Sequence, residues 1–422
     1  MKMGFNPPEL ILPAGNFQKL KYALAYGADA VYAGPPDCSL RARLNEFDME
    51  SLKEAIEYTK LRNKKIYITL NLFARNSDFW KIERYVKELE EYAPSAFIVS
   101  DPGVVRFLKK LKIKTPLHLS TQANTLNFES VRFWEEAGIE RIILARELNY
   151  DEIVEIRENC RNVELEIFIH GAMCMAYSGR CILSLYFTGR EGNRGDCSHT
   201  CRWKYYLIEE KRADDPIEIE EHGDGSYILS SRDLCLINYL EELKSLHLDG
   251  YKIEGRTKNV FYVSLVARAY RMALDRVYNL GDGDSIMAPE DLINLLDNHG
   301  YTTGFIFRGT DIAKNEHLSV DELQNPFEKQ YKKQYIVGLV READSRKMIV
   351  EVKNPLRKND TVLAISPDMI EEVKILSIRD GEDYIDMAYG AKKQIVTVQI
   401  DRDISGSTWN FGILVKKHKP LE

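Results

Sequence analysis

Five cysteines are gathered in one part of the chain: Cys174, Cys181, Cys197, Cys201 and Cys235, separated by six, fifteen, three and thirty-three residues. The paired two-residue spacings of a zinc ribbon or finger are absent. Thiolates that hold a four-iron cluster need no even spacing, because the loops carrying them wrap the cube. On spacing alone a cluster, a zinc site and buried free thiols all stay open. Gly179, Gly189, Gly192 and Gly195 allow tight turns between these cysteines, and Arg180, Arg190, Arg194 and Arg202 set cationic charge beside them. Positive charge lowers a thiolate pKa and offsets the negative charge of a ligated cluster; the alternative is that these arginines pair with carboxylates elsewhere. Cys38 and Cys160 stand apart and read as packing residues.

A second set of reactive groups recurs at the ends of apolar runs: Asn71, Asp101, Ser120, Gln122, Arg146, Glu147, His170, Lys252, Glu254 and Arg256. Any one of them reads equally as a cap or an ion-pair partner. Their recurrence makes His170, Glu254 and Gln122 the candidate catalytic groups. His170, beside the cysteine block, is placed for proton transfer with a pKa expected in the physiological range. Arg41, Arg43, Arg146, Arg256 and Lys252 are the candidates for holding an anionic substrate, since arginine suits bidentate recognition of carboxylates. His118 and Ser120 lie two apart on one run and face one side, so a Ser–His pair is imaginable there, without a third orienting group. No His-Glu-x-x-His helix and no Gly-x-Ser-x-Gly elbow is present.

The elements that must position these groups follow from periodicity. Eight apolar, β-branched runs occupy residues 9–15, 29–34, 65–71, 96–101, 117–123, 141–147, 165–171 and 250–256. Helix-like segments lie between them at 17–26, 49–61, 79–92, 128–137 and 150–159. Eight continuous apolar strands joined by helices require a closed parallel (β/α)8 barrel, whose active-site face is formed by the carboxyl ends of its strands. The barrel is expected over residues 1–280. An insertion at 172–249 breaks its rhythm, with strands expected at 203–210 and 226–231 and a helix at 236–246. A linker is expected at 281–329. Short alternating runs from about residue 335 onward then predict a small antiparallel β-barrel over residues 330–422.

The 422 residues carry a formal net charge of −7, with 44% hydrophobic and 29% charged residues, a globular composition. Such a balance does not advertise a nucleic-acid binder, which needs clustered Lys and Arg. Short basic clusters occur at Lys109, Lys110, Lys112 and Lys114, at Lys329, Lys332 and Lys333, and at Lys416, Lys417 and Lys419; each reads first as a solvated face. No signal-peptide core and no 18-residue apolar run is visible, so a cytoplasmic protein with reduced thiols and no membrane partner is expected.

The opening PAGNFQKLKYALAYGADAVYAG, then LRARLNEF, LSTQANTLN, ILARELNYDEI, the IHGAMCMAYSGRC…NRGDCSHTCRWKY block, GYKIEGR and NHGYTTGFIF together resemble the collagenase-like peptidase family of unknown catalytic type, family U32. The likeness spans nearly the whole chain. The family bears a peptidase label, yet its better-understood branches are oxygen-independent hydroxylases. This chain is most similar to the branch that hydroxylates the wobble uridine of tRNA using prephenate. The resemblance implies a [4Fe-4S] cluster on Cys174, Cys181, Cys197 and Cys235, with Cys201 as an alternative ligand. It implies as partners tRNA, entered at the anticodon loop, prephenate as hydroxyl donor, and an electron-transfer or iron–sulfur assembly protein. A metal-dependent or cryptic peptidase and a non-catalytic RNA-binding scaffold are the competing readings.

Overall fold

The computed structural model describes residues 6–36, 46–173, 177–178, 180–192, 196–198, 200, 221–222, 225–226, 233–256, 258–281, 287–296, 298, 300–307, 334–390, 394–404 and 409–417. It divides into two compact units that interleave in sequence. The first comprises residues 1–20, 28–258 and 298–329, the second 21–27, 259–297 and 330–422.

The strands of the first unit are β1 (Glu9–Pro13), β2 (Ala30–Ala33), β3 (Lys65–Leu70), β4 (Ala96–Val99), β5 (Leu117–Leu119), β6 (Arg141–Ile143), β7 (Glu164–Ala172), β8 (Asp233–Cys235), β9 (Gly250–Ile253) and β10 (Tyr301–Thr302). Eight of them run parallel in the order β9-β1-β2-β3-β4-β5-β6-β7, and β9 pairs back onto β7 through Gly250↔Glu166 and Lys252↔Phe168. This is the closed barrel expected from the sequence. Each strand is short and apolar throughout because both faces are covered: the interior on one side, helices on the other.

The helices Met49–Lys60, Phe79–Glu90, Pro102–Lys110, Phe128–Glu136 and Tyr150–Asn159 join consecutive strands. Their starts are written in the sequence as side-chain acceptors. Asp48 takes Ser51 N–H, Asp101 takes Gly103 and Val104 N–H, Asn127 takes Ser130 N–H and Asn149 takes Glu152 N–H, satisfying donors that have no partner inside the helix. Asp101, read as a strand-end functional group, is therefore a cap. Lys109 and Lys110 lie in the last turn of their helix, where cations complement the helix dipole.

The barrel interior carries charge. Arg141 on β6 is buried and ion-paired with Glu9 at 2.7 Å, Glu164 at 2.6 Å and Glu166 at 3.5 Å. Glu166, fully buried, also takes a hydrogen bond from Lys252 Nζ at 2.7 Å. Tyr67 donates its hydroxyl to Glu9 at 2.5 Å, and its ring lies 4.8 Å from the buried ring of His118, tilted by 54°. Burial and then the neighbouring Arg141, Lys252 and Lys65 hold the His118 imidazole well below its ordinary range. Its folded pKa thus lies under the unfolded value of about 6.5, so the unfolded chain takes up the proton first and stability is lost as pH falls through about 6.5 and below. Urea midpoints measured at about pH 7 and pH 5 should fall for the wild type, and fall less for His118→Phe. An equal drop in both removes His118 from the account.

Residues 281–329, expected as a linker, are only partly one. Tyr301 and Thr302 form β10, parallel to β8 with Asp233↔Tyr301 and Leu234↔Thr302, and Tyr150 N–H donates to Ile306 O at 2.6 Å. Apolar residues decide this: Ile306 and Phe307 are buried.

The second unit closes six antiparallel strands: β11 (Gln334–Asp344), β12 (Lys347–Val352), β13 (Thr361–Ile365), β14 (Ile370–Asp380), β15 (Ile395–Ile400) and β16 (Ile413–Lys417). Their order is β13-β16-β11-β12-β15-β14, and β14 returns to β13. The core is aliphatic, including Val337, Val350, Val362, Ile375, Val398 and Leu414, around Trp409, whose indole N–H donates to Ile404 O at 2.9 Å. The helix Val260–Val277, expected within the first barrel, groups with this unit, and its Arg268 donates to Ser366 O. Lys416, one of the C-terminal basic cluster, lies in the closing strand, opposite Tyr335 and ion-paired with Asp360. Lys419 lies outside the described residues. No described helix is long and apolar enough to cross a membrane.

Candidate functional site

The carboxyl ends of the barrel strands bring several expected residues together. Glu254 follows β9 and His170 lies near the end of β7; Glu254 N–H donates to His170 O at 2.8 Å. Gly171 makes this approach possible: it sits at φ +107°, and a Cβ there would come within 2.3 Å of Glu254 O, so no other residue fits. On the other edge of β7 runs β8, antiparallel, with Cys235 opposite His170 and Asp233 opposite Ala172. A candidate sulfur and the candidate histidine thus share one register position. The His170 ring lies 5.6 Å from Tyr301.

His170 does not titrate where the sequence suggested. Complete burial, with a smaller push from Lys258, lowers it to about 3. At neutral pH it is an uncharged imidazole suited to hydrogen bonding, not an imidazolium acid.

Across the mouth, Arg256 donates to Thr69 Oγ1 at 2.7 Å, and its guanidinium lies 5.9 Å from the Tyr32 ring. The Tyr32 hydroxyl is 3.0 Å from Ile253 O and 3.5 Å from Glu254 Oε2. Ser120 Oγ accepts from Asn71 Nδ2 at 3.3 Å and from Gln122 N–H at 3.4 Å. Gln122 is buried, and its Oε1, like Asn71 Oδ1, has no hydrogen-bond partner among the described residues. Lys252 is placed differently from the others: it points into the barrel, paired with Glu166, its ammonium 4.6 Å from the Tyr32 ring. A residue so committed braces the interior and is a poor candidate for meeting a substrate.

The described part of the insertion is tied down over this mouth. Arg146 donates to Ala172 O and to Ser178 Oγ, both at 2.8 Å. Asn124 Nδ2 reaches Ser178 O at 3.4 Å, Arg75 pairs with Glu191, and Arg180 lies 5.6 Å from the Phe73 ring. Of the arginines beside the cysteines, Arg190 follows the bland alternative, binding Asp196 at 2.7 Å. Ser178, Thr69, Tyr32 and Tyr301 were not singled out from the sequence. Only the aromatic-rich NHGYTTGFIF gave a signal for Tyr301.

Cys181, Cys197 and Cys235 are half-buried and not joined in disulfides. Cys197 packs against Gly192, where a Cβ would sit 3.5 Å from its Cβ. Cys160 differs: it is buried, its thiol 3.6 Å from Phe128 O, and burial pushes its pKa up, the profile of a packing residue. Cys174, Cys201, Cys38, Arg41 and Arg43 lie outside the described residues, and among the described residues no three potential ligands are grouped as a complete metal site. Cys181, Cys197 and Cys235 are thiols, the donor type that iron–sulfur clusters take, but the described residues do not gather the three into one site.

The imagined Ser–His pair is not formed. No hydrogen bond joins Ser120 to His118, whose Nδ1 has no partner among the described residues, and Ser120 is engaged by Asn71 and Gln122.

Residues 15–316 match Peptidase family U32. The chain is 43% identical over 309 residues to a Helicobacter pylori protein named tRNA hydroxylation protein P, covering 72% of each. It is 34% identical to a Haemophilus influenzae protein of the same name, covering 97% of this chain and 96% of that one. A Porphyromonas gingivalis protein named collagenase is 31% identical, with 72% of this chain and 74% of the other covered.

Proposed function

This chain belongs to peptidase family U32, and from that premise we propose that it hydroxylates tRNA, converting a wobble uridine to 5-hydroxyuridine. The observation that carries the reading is the end-to-end match with a protein named for tRNA hydroxylation, 97% of one chain against 96% of the other. The collagenase name on another relative points elsewhere, but the one Ser–His pair the sequence offers lacks its hydrogen bond, and His118 is buried among cations.

In this reading the barrel mouth receives a uridine turned out of the single-stranded anticodon loop, as enzymes acting on a base require. Cys174, Cys181, Cys197 and Cys235, with Cys201 as an alternative ligand, would hold a [4Fe-4S] cluster, which supplies one-electron redox chemistry when bound. Arg256, steadied by Thr69, and Arg146, steadied across the mouth, are the arginines placed to meet the carboxylates of a donor such as prephenate. Neutral His170 and the Gln122 amide orient the bound groups by hydrogen bonding. An electron-transfer or iron–sulfur assembly protein completes the set of partners.

The test is mass spectrometry of tRNA nucleosides from cells grown without oxygen. Deleting the gene should remove one oxygen atom's mass from wobble uridines of a tRNA subset, and the wild-type gene should restore it. Purified protein should leave gelatin intact. Unchanged nucleosides together with gelatin cleavage would hand the function to the peptidase reading.

A further inference from the structure

The short helix Leu183–Thr188 is built inside out. Its Ser184 is buried and hydrogen-bonded to Ser198, Oγ to Oγ at 2.9 Å, and accepts Ser198 N–H at 3.0 Å; Thr188 Oγ1 lies 2.7 Å from Ser184 O and 3.1 Å from Ser198 Oγ. The polar side of the helix thus faces the protein. Its apolar side faces solvent: Ile182 is 65% exposed, Leu185 48%, Tyr186 78% and Phe187 48%, with Tyr177 beside them at 47%. These are five of the thirteen exposed large hydrophobic residues among those described. An ordinary surface helix shows the reverse, and a contiguous apolar patch on a polar protein marks a contact site. The hydrogen bonds of Ser184 hold it open.

We propose that Tyr177, Tyr186 and Phe187 form a stacking platform for the unpaired bases flanking the target uridine. This rests on the reading that RNA is the substrate and adds where its loop is gripped. Three observations select single-stranded RNA as the occupant. First, the patch presents aromatic rings, two with hydroxyls, and Tyr186 and Phe187 stand edge to face at 5.2 Å; unpaired bases stack on such rings. Second, the same segment carries exposed Arg180, whose planar group serves phosphate and base alike. Third, the segment is fastened to the barrel mouth through Arg146, Asn124 and Arg75, so a loop delivering one base to that mouth lays its neighbours on this rim. A chain of net charge −7 has little phosphate attraction to spend, which leaves stacking as the larger source of affinity.

The experiment measures fluorescence anisotropy of a labelled anticodon stem-loop with full-length protein purified without air, alongside a fully paired duplex of the same stem. The wild type should bind the stem-loop and not the duplex. Tyr186→Leu and Phe187→Leu should each weaken binding by on the order of tenfold, while Tyr186→Trp retains it, because stacking needs a flat π-face and not mere hydrophobicity. The salt slope should be the same for wild type and the leucine variants. Full binding by the leucine variants, equal binding of the duplex, or a wild-type dimer in sedimentation that Tyr186→Leu dissociates would overturn the proposal; the last would make the patch a self-association face. Nucleoside mass spectrometry separates this from the parent reading. If deletion removes the wobble oxygen and Tyr186→Leu with Phe187→Leu restores it fully, the platform falls and the hydroxylase stands. If deletion changes no nucleoside, the hydroxylase falls, and the anisotropy still decides whether the platform binds RNA.

Discussion

Arg141→Met should lower the unfolding free energy of the full chain by about 3–5 kcal/mol, the cost of leaving a buried charge without its partner. Arg141 serves three carboxylates, and they are unequal. Glu164 is half exposed, so its share is small. Glu166 is fully buried and keeps only Lys252 once the guanidinium is gone. Glu9 is largely buried; burial alone would raise its carboxyl, but Arg141 holds it below the usual range. The sign follows. That part of the stability is present above the unfolded carboxylate pKa of about 4.3 and is lost as pH falls through it, so Arg141→Met should also flatten the acid limb of the stability curve. Combining Arg141→Met with Glu9→Gln should recover part of the loss, since Glu9 is then neutral and Glu166 keeps Lys252 as its partner. Urea denaturation across pH reads all of this, and a loss under about 1 kcal/mol for the single substitution would mean that the network is solvated and not structural.

That network marks the limit of what periodicity reveals. The barrel was legible because its strands are uniformly apolar at 96–99 and 30–33 and alternate with segments of helical period. Glu9, Arg141 and Glu166 sit inside or beside apolar runs where a charge reads as a strand edge. Only closing β9 onto β7 shows Glu166 and Lys252 as one pair. The same closure reassigns Lys252 from the substrate to the scaffold. Long-range contact overrides local composition at two places. The polar stretch after 280 holds β10, recruited by β8, and the basic Ile413–Lys417 segment is the strand that closes the second barrel.

At the site, residue types were legible and states were not. His170 was recognisable from its place beside the cysteine block. Its neutrality comes from complete burial, which no local pattern encodes. Gly171 carries no chemistry, yet its positive φ lets Glu254 come against His170. The exposed face of Leu183–Thr188 was hidden for the opposite reason, since LSLYFT reads as core until Ser184 is seen turned inward.

If the proposed function holds, removing a single thiol of the cluster it assigns should be all-or-none. Cys181→Ala, Cys197→Ala and Cys235→Ala proteins, purified without air, should each lose iron and the visible absorption of a cluster, and each gene should fail to restore the wobble oxygen in a deletion strain. Cys160→Ala should keep both, because that thiol is buried against Phe128 O with its pKa raised. Cys235 is the sharpest case. Its partner in register is His170, so the ligand assignment and the position of the histidine at the mouth stand together. Cys201, four residues beyond Cys197, supplies the counter-hypothesis. Should Cys235→Ala retain full iron while Cys201→Ala loses it, the fourth ligand moves to Cys201 and Cys235 becomes a packing thiol on β8. Should both retain iron while Cys181→Ala and Cys197→Ala lose it, Cys201 and Cys235 replace one another as fourth ligand; should all four variants retain iron, these thiols hold no cluster, and the oxygen transfer must be sought in other residues of the barrel mouth.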